Sequence, residues 1–195
     1  MLNKQKGEII IISLIMMLLL TIVGLTGVRI SNLEERMSGN FRDHEIAFQS
    51  AEATLVEAEA FVENTTFVVG NFQSGCTGSQ CFTSTCTNGL CFNGSFPTTG
   101  APASSCSAGL TNPWEDWALW TDGSGKYKLA TSLTGTSSAA KYIVEFRCFM
   151  VRDDTNSDPN ANLIAEWAYS FRITALARGG TADSQVMLQT TYKKI

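Results

Sequence analysis

Six cysteines, Cys76, Cys81, Cys86, Cys91, Cys106 and Cys148, are the side chains best able to do covalent chemistry. The first four fall at a regular C-x4-C spacing. Zinc modules use C-x2-C pairs with further Cys or His ligands, and the chain has a single histidine, His44. Oxidised pairs therefore fit better than a metal centre. In Cys86-Thr87-Asn88-Gly89-Leu90-Cys91 the central Asn-Gly is the favoured two-residue hairpin turn. Thr87 and Leu90 would pair across it. The two cysteines would then face each other with Cα atoms about 4.5 Å apart, near the lower end of disulfide range. Cys76 to Cys81 repeats the spacing, with Gly78 at the turn. The expected bridges are Cys76–Cys81, Cys86–Cys91 and, by elimination, Cys106–Cys148, one choice among the pairings open to six cysteines.

Other chemistry is thinner. Asp154, Asn156, Asp158 and Asn160 set oxygen atoms at alternate positions, as a calcium loop does. Pro159 stands where an EF-hand requires glycine, and position twelve is Ala165 rather than glutamate. A solvated hairpin loop fits better; calcium is the alternative. A Ser-His-acid triad would need His44, which lies on a helical apolar stripe. No G-x-S-x-G, P-loop or dinucleotide fingerprint occurs, so neither an enzyme nor a cofactor is expected. Trp114, Trp117, Trp120 and Trp167 suit a sugar-binding surface or a core, with core preferred. Asn64-Thr65-Thr66 and Asn93-Gly94-Ser95 match the short glycosylation pattern.

The formal net charge is −4. Loss of residues 1–7 would remove Lys4 and Lys6 and make the balance more acidic. Beyond Tyr192-Lys193-Lys194 there is no basic patch, so direct nucleic-acid binding is not expected.

The elements that must position these groups start with a short basic head, Lys4-Gln5-Lys6-Gly7. From Ile9 to Val28 the chain then carries no charge. As a helix this run spans about 30 Å, a bilayer core. It is longer than a secretory signal core and lacks an A-x-A site after it. An ordinary single-span anchor is the simplest reading. The basic head favours the cytoplasm, and the rest of the chain then lies outside it, where disulfides form.

Past Val28 the alanine- and glutamate-rich, proline-free sequence continues as helix to about Glu63, some 80 Å in all if unbroken. Phe41, Phe48, Leu55 and Val62, with Ala51 and Ala58, form an apolar stripe. His44 falls on it as a packed residue, opposite Glu45, Glu52 and Glu59. Gly39 and the pair Gly24 and Gly27 are the weak points. From Asn64 to Asn112 runs a Gly/Ser/Thr/Cys-rich loop. Asn112-Pro113-Trp114-Glu115 reads as a capped helical turn. Strands are expected at Lys126–Thr131, Lys141–Val151, Leu163–Ala177 and Ser184–Lys193. Loops at Asp153–Asn162 and Arg178–Asp183 would join them. The fold class is α+β: an antiparallel sheet wrapped on the helix stripe.

The leader Lys4-Gln5-Lys6-Gly7, the apolar helix directly after it and the segment NLEERMSGNFRDHEIAFQSAEATL resemble the N-terminal region of PilX-type minor pilins. The closing FRITALARGG and SQVMLQTTYKK resemble that family's last strands. The resemblance implies a type IV pilin-like roll: leader 1–7, membrane and filament-core helix 8–28, amphipathic continuation 29–63 and cysteine-containing domain 64–195. It implies cleavage after Gly7 by a prepilin peptidase and N-methylation of Glu8. It also implies an inner-membrane state with the domain in the periplasm, then a surface filament. Its partners would be major and minor pilins and the pilus assembly machinery. Two positions depart from the usual pattern. The mature chain would begin with Glu8, and its fifth position is Ile12 where shaft pilins carry glutamate. Ile12, Gly24 and Gly27 are thus the candidate assembly positions, and a tip or initiation subunit is expected rather than a shaft subunit. A tip-displayed adhesin and a type II secretion pseudopilin are the alternatives.

Overall fold

A computed structural model describes residues 8–73, 75–92, 112–160 and 163–195. One helix, α1, runs from Glu8 to Asn64 without a break at Gly24, Gly27 or Gly39. The chain divides into two compact units, Met1–Arg42 and Asp43–Ile195. The first contributes only helix among its described residues.

The second unit sets the last turns of α1 against a sheet. Its strands are β1 (Leu90–Cys91), β2 (Lys128–Leu129), β3 (Lys141–Val151), β4 (Trp167–Arg178) and β5 (Gln185–Lys194). Their order is β1-β3-β4-β5, with β2 also on β3. Alternation and β-branched residues make the three long strands, which pair antiparallel, β3 with β4 and β4 with β5. The sheet is mixed, because β1 pairs parallel to β3 through Leu90–Val144 and Cys91–Glu145. The expected strand Lys126–Thr131 narrows to β2. The start of the expected strand at Leu163 is instead a 3-10 turn, Ile164–Glu166. Asn112–Glu115 forms the expected turn as 3-10 helix Pro113–Glu115, with Asn112 Nδ2 donating to Glu115 Oε1 at 2.8 Å.

A bulge controls which residues of β3 face the helix. The register shifts between Phe146 and Cys148. Before it, Tyr142, Val144 and Phe146 join the core under α1; after it, Phe149 does. One extra residue inverts the alternation, so Phe146 and Phe149 share a face. They join Phe67, Phe72, Phe82 and Phe171 in an aromatic cluster, with Phe72 and Phe146 centroids 4.1 Å apart. Burying each such ring contributes about 1.5–3 kcal/mol.

The face of α1 against the sheet is built from small residues. Ala47, Ser50, Ala51, Thr54, Ala58 and Val62 are buried, while Phe48 and Leu55 flank them half-buried. Small side chains let the helix axis lie close to the strands. His44 and Phe41 are exposed, which corrects the expected stripe. A seven-residue step falls about 20° short of two full helical turns, so a stripe drawn through heptads drifts off the contact face within a few turns.

The sheet's other face is covered too. Cys86, Cys91, Leu119, Trp120, Ile143 and Leu176 form a second buried cluster, flanked by Trp114, Tyr127 and Met187. Strand β3 is therefore buried on both sides. Of the four tryptophans, Trp120 and Trp167 are core, Trp114 is half-buried and Trp117 is 62% exposed.

Candidate functional site

The functional surface of the first unit is a bare helix. Every large apolar side chain from Ile9 to Ile30 is more than half exposed, Ile12 among them. The helix is long and apolar enough to cross a membrane. Its few hydroxyls turn inward along its own backbone. Ser13 donates to Ile10 O at 2.9 Å, Thr21 to Leu18 O at 2.8 Å and Thr26 to Val23 O at 2.8 Å. With the backbone satisfied internally, lipid and a bundle of like helices are both acceptable surroundings. A Cβ placed on Gly24 or Gly27 would meet nothing within 4 Å in this chain. Packing inside the chain does not call for glycine there; bare backbone is what a second helix approaches most closely. Gly7 lies outside the described residues. Glu8 is the first residue of α1.

In the second unit three polar ties hold the helix to the sheet. At one end the Asp43 carboxylate accepts from Thr181, from its backbone N at 3.0 Å and from its Oγ1. The Thr181 hydroxyl is the chief cause holding the Asp43 carboxyl below the usual range. Ser137 N donates to Gly179 O at 2.7 Å and fixes the same loop. Midway, Glu57 Oε2 accepts from Thr131 N at 2.9 Å. At the far end Tyr192 donates to Glu63 Oε2 at 2.7 Å. Lys194 Nζ donates to the carbonyls of Val62, Glu63 and Thr65 at 2.7, 2.5 and 2.8 Å. A helix C-terminus leaves its last carbonyls without partners and carries partial negative charge, and Lys194 answers both.

Behind the sheet, Glu145 of β3 is only 2% exposed. Arg172 of β4 reaches it with Nε at 2.8 Å and Nη2 at 2.7 Å, and Arg147 with Nη1 at 2.5 Å. Arg172 also donates to Asn112 Oδ1 at 3.0 Å, which ties the covering segment to the strands.

Cys76 is bonded to Cys81 and Cys86 to Cys91, with Cα separations of 5.7 and 4.1 Å. Asn88 and Gly89 both take positive φ, as the Asn-Gly turn requires, and Leu90 N donates to Thr87 O. Cys86 is left-handed as well, so the chain curls into a 3-10 turn and no hairpin extends from it. Gly89 is required here: a Cβ would lie 2.7 Å from Lys128 N. Cys148 is disulfide-bonded; Cys106, and with it the expected Cys106–Cys148 bridge, lies outside the described residues.

The loop of the calcium alternative is internally tied. Asp154 pairs with Lys193 at 3.1 Å, Asn156 Oδ1 accepts from Asp158 N, and Glu166 Oε2 accepts from Asn156 Nδ2 and Asn160 N. Among the described residues no group of three His, Cys, Asp or Glu is placed to hold a metal. His44 stands exposed on α1, away from any nucleophile–base arrangement in the described hydrogen bonds. Asp43, Glu57, Glu63 and Glu145 escaped the sequence reading. Only Glu145 had such a signal, an opposite charge, Arg172, in register on the next strand; Asp43, Glu57 and Glu63 lie on α1, and their partners Thr181, Thr131 and Tyr192 are far along the chain.

Two family models match this chain. The model of the PilX N-terminal region matches residues 6–56. The model described as type IV pilus assembly protein PilX, C-terminal part, matches residues 75–194. No curated protein sequence and no solved structure matches the chain. The two matches together take in the apolar helix, both described disulfides and all five strands, and the chain belongs to the PilX family of type IV pilus assembly proteins.

Proposed function

We propose that this chain is a minor pilin of a tip or initiation complex, cut after Gly7 by a prepilin peptidase and methylated on Glu8. The observation that carries the proposal is the apolar surface from Ile9 to Val28, which has no carboxylate at Ile12. In a filament the new amine of Glu8 would be packed among neighbouring helices. A buried amine without a carboxylate partner is costly. Along a shaft that cost recurs at every subunit contact; at an end or in a starting complex it arises once. Glu8 itself is the other group able to offset the amine.

The reading makes α1 serve twice, first as an inner-membrane anchor with the domain in the periplasm, later as a filament-core helix among other pilins. Within the second unit, the three ties from Asp43 to Lys194 fasten the last turns of α1 to the domain that it would carry. A deletion strain with gold-labelled complementation tests the role. The expected result is loss of most surface pili, restored by the wild-type chain, with label at filament ends. Normal pilus number, or label spread along shafts, contradicts it.

A further inference from the structure

We propose that a cleft beside Trp117 binds a neutral pyranose ring of a glycan, an activity separate from assembly. The cleft has a volume of about 300 Å³ and is walled by Trp117, Trp120, Asp122, Ser138, Lys141 and Arg178. That is the small end of the range for ligand clefts, enough for a ring unit rather than an extended ligand.

Three features define what fits. Trp117 is 62% exposed although its neighbours Leu119 and Trp120 are buried. An indole left in water at the rim of a cleft is a stacking platform without a partner. The opposite walls are polar and carry one carboxylate, Asp122, beside two cations, Lys141 and Arg178, both of which act on it electrostatically. Lys141 Nζ donates to Asp122 Oδ1 and Trp120 O, both at 2.5 Å, and lies 4.4 Å from the Tyr127 ring. Lys141 is thereby held and nearly buried. Asp122 uses Oδ1 for Lys141 and Tyr127, which leaves Oδ2 as an acceptor turned to solvent. Among the described residues the Arg178 guanidinium has no hydrogen-bond partner, and Ser138 offers a hydroxyl on the rim.

An anion would meet Asp122, and a cation would meet Lys141 and Arg178. A sugar ring meets neither difficulty. Its axial C–H face suits the indole, and adjacent hydroxyls donate to a carboxylate and accept from a guanidinium together. Tyr127, Gly123 and Ser124 brace the segment that carries Asp122: Gly123 N donates to Tyr127 Oη at 3.3 Å and Ser124 Oγ to Leu119 O at 2.7 Å. The acceptor is therefore held in place before a ligand arrives.

The test uses the full chain in a detergent without a sugar headgroup, applied to a printed array of neutral, sialylated and sulfated glycans. The best ligand is then titrated by tryptophan fluorescence. The expected result is binding to neutral terminal sugars, weakened about tenfold in Trp117→Ala and in Arg178→Gln, with unchanged circular dichroism. Trp117→Phe should keep most of the binding. No glycan above background, binding confined to sialylated or sulfated glycans, or binding unaltered in both variants overturns the proposal. Piliation by Trp117→Ala should stay normal, so failure here leaves the assembly role standing.

Discussion

Lys194, next to last in the chain, donates from Nζ to the carbonyl of Val62 at 2.7 Å, at the end of the helix that began at Glu8. Two further carbonyls, of Glu63 and Thr65, accept from the same ammonium. The last strand thus closes the helix that the first residues open. Replacing Lys194 with Met keeps the stem that lies near the Phe67 ring and removes the donors. Charge-assisted bonds to partly exposed carbonyls stabilise by about 1–2 kcal/mol in total here. Chemical denaturation of the full chain in micelles should show that loss; an unchanged midpoint would mean that water replaces Lys194 without cost.

The Gly179 contact is steric. A Cβ there would run into the Asp43 main-chain oxygen and lie 2.6 Å from Asp43 Oδ1, against a backbone and a carboxylate already held in place. Gly179→Ala should cost about 1–3 kcal/mol and disturb the Asp43 end of the helix contact first. Hydrogen exchange at residues 43–50 reports it. Protection equal to wild type would show that the loop can back away.

Glu145 is the most buried ionisable side chain among the described residues. Glu145→Ala leaves Arg147 and Arg172 facing an apolar strand, and breaking such a buried pair costs about 3–5 kcal/mol. Glu145→Gln keeps acceptor geometry and should lose less. Equal losses in the two variants would mean that packing, rather than charge pairing, holds the segment from Asn112.

Tyr142 supplies a pH signature. Burial, with a smaller push from Glu57, moves its phenol up to about 12, above the ordinary value near 10. A raised folded-state pKa contributes stability that is whole below the unfolded pKa and lost as pH rises through the folded one. The domain should therefore weaken between about pH 10 and about 12, and Tyr142→Phe should lessen the slope there. A slope identical in the two chains would assign the alkaline loss to other groups.

Much of this architecture was readable because it rests on local periodicity. Strand β3 was expected and found at Lys141–Val151, since alternating β-branched and aromatic residues between turn signals have few other uses. The Cys86–Cys91 bridge followed from the turn demanded by Asn88-Gly89. What local pattern could not convey was the partner's shape. Of the expected stripe on α1, Ala51, Ala58 and Val62 are buried and Phe48 and Leu55 pack at the edge of the core, whereas Phe41 and His44 are exposed and the buried Ala47, Ser50 and Thr54 were not on it, because close approach to a sheet selects small side chains. The bulge at Arg147, which returns Phe149 to the core, depends on strand pairing. The second core behind the sheet joins Trp120 to Ile143 and Leu176 across long sequence separations, and β1 runs parallel for the same non-local reason. At the cleft, Trp117 could be nominated among four tryptophans but not told apart from the core ones, because the distinction is exposure.

On the proposed function, α1 is the processed helix of a filament subunit. Mass spectrometry of the amino terminus, from the protein purified out of its own cell, tests it most directly. The expected result is a chain that begins at N-methylated Glu8. An intact Met1, or a terminus created near Gly27, would contradict it.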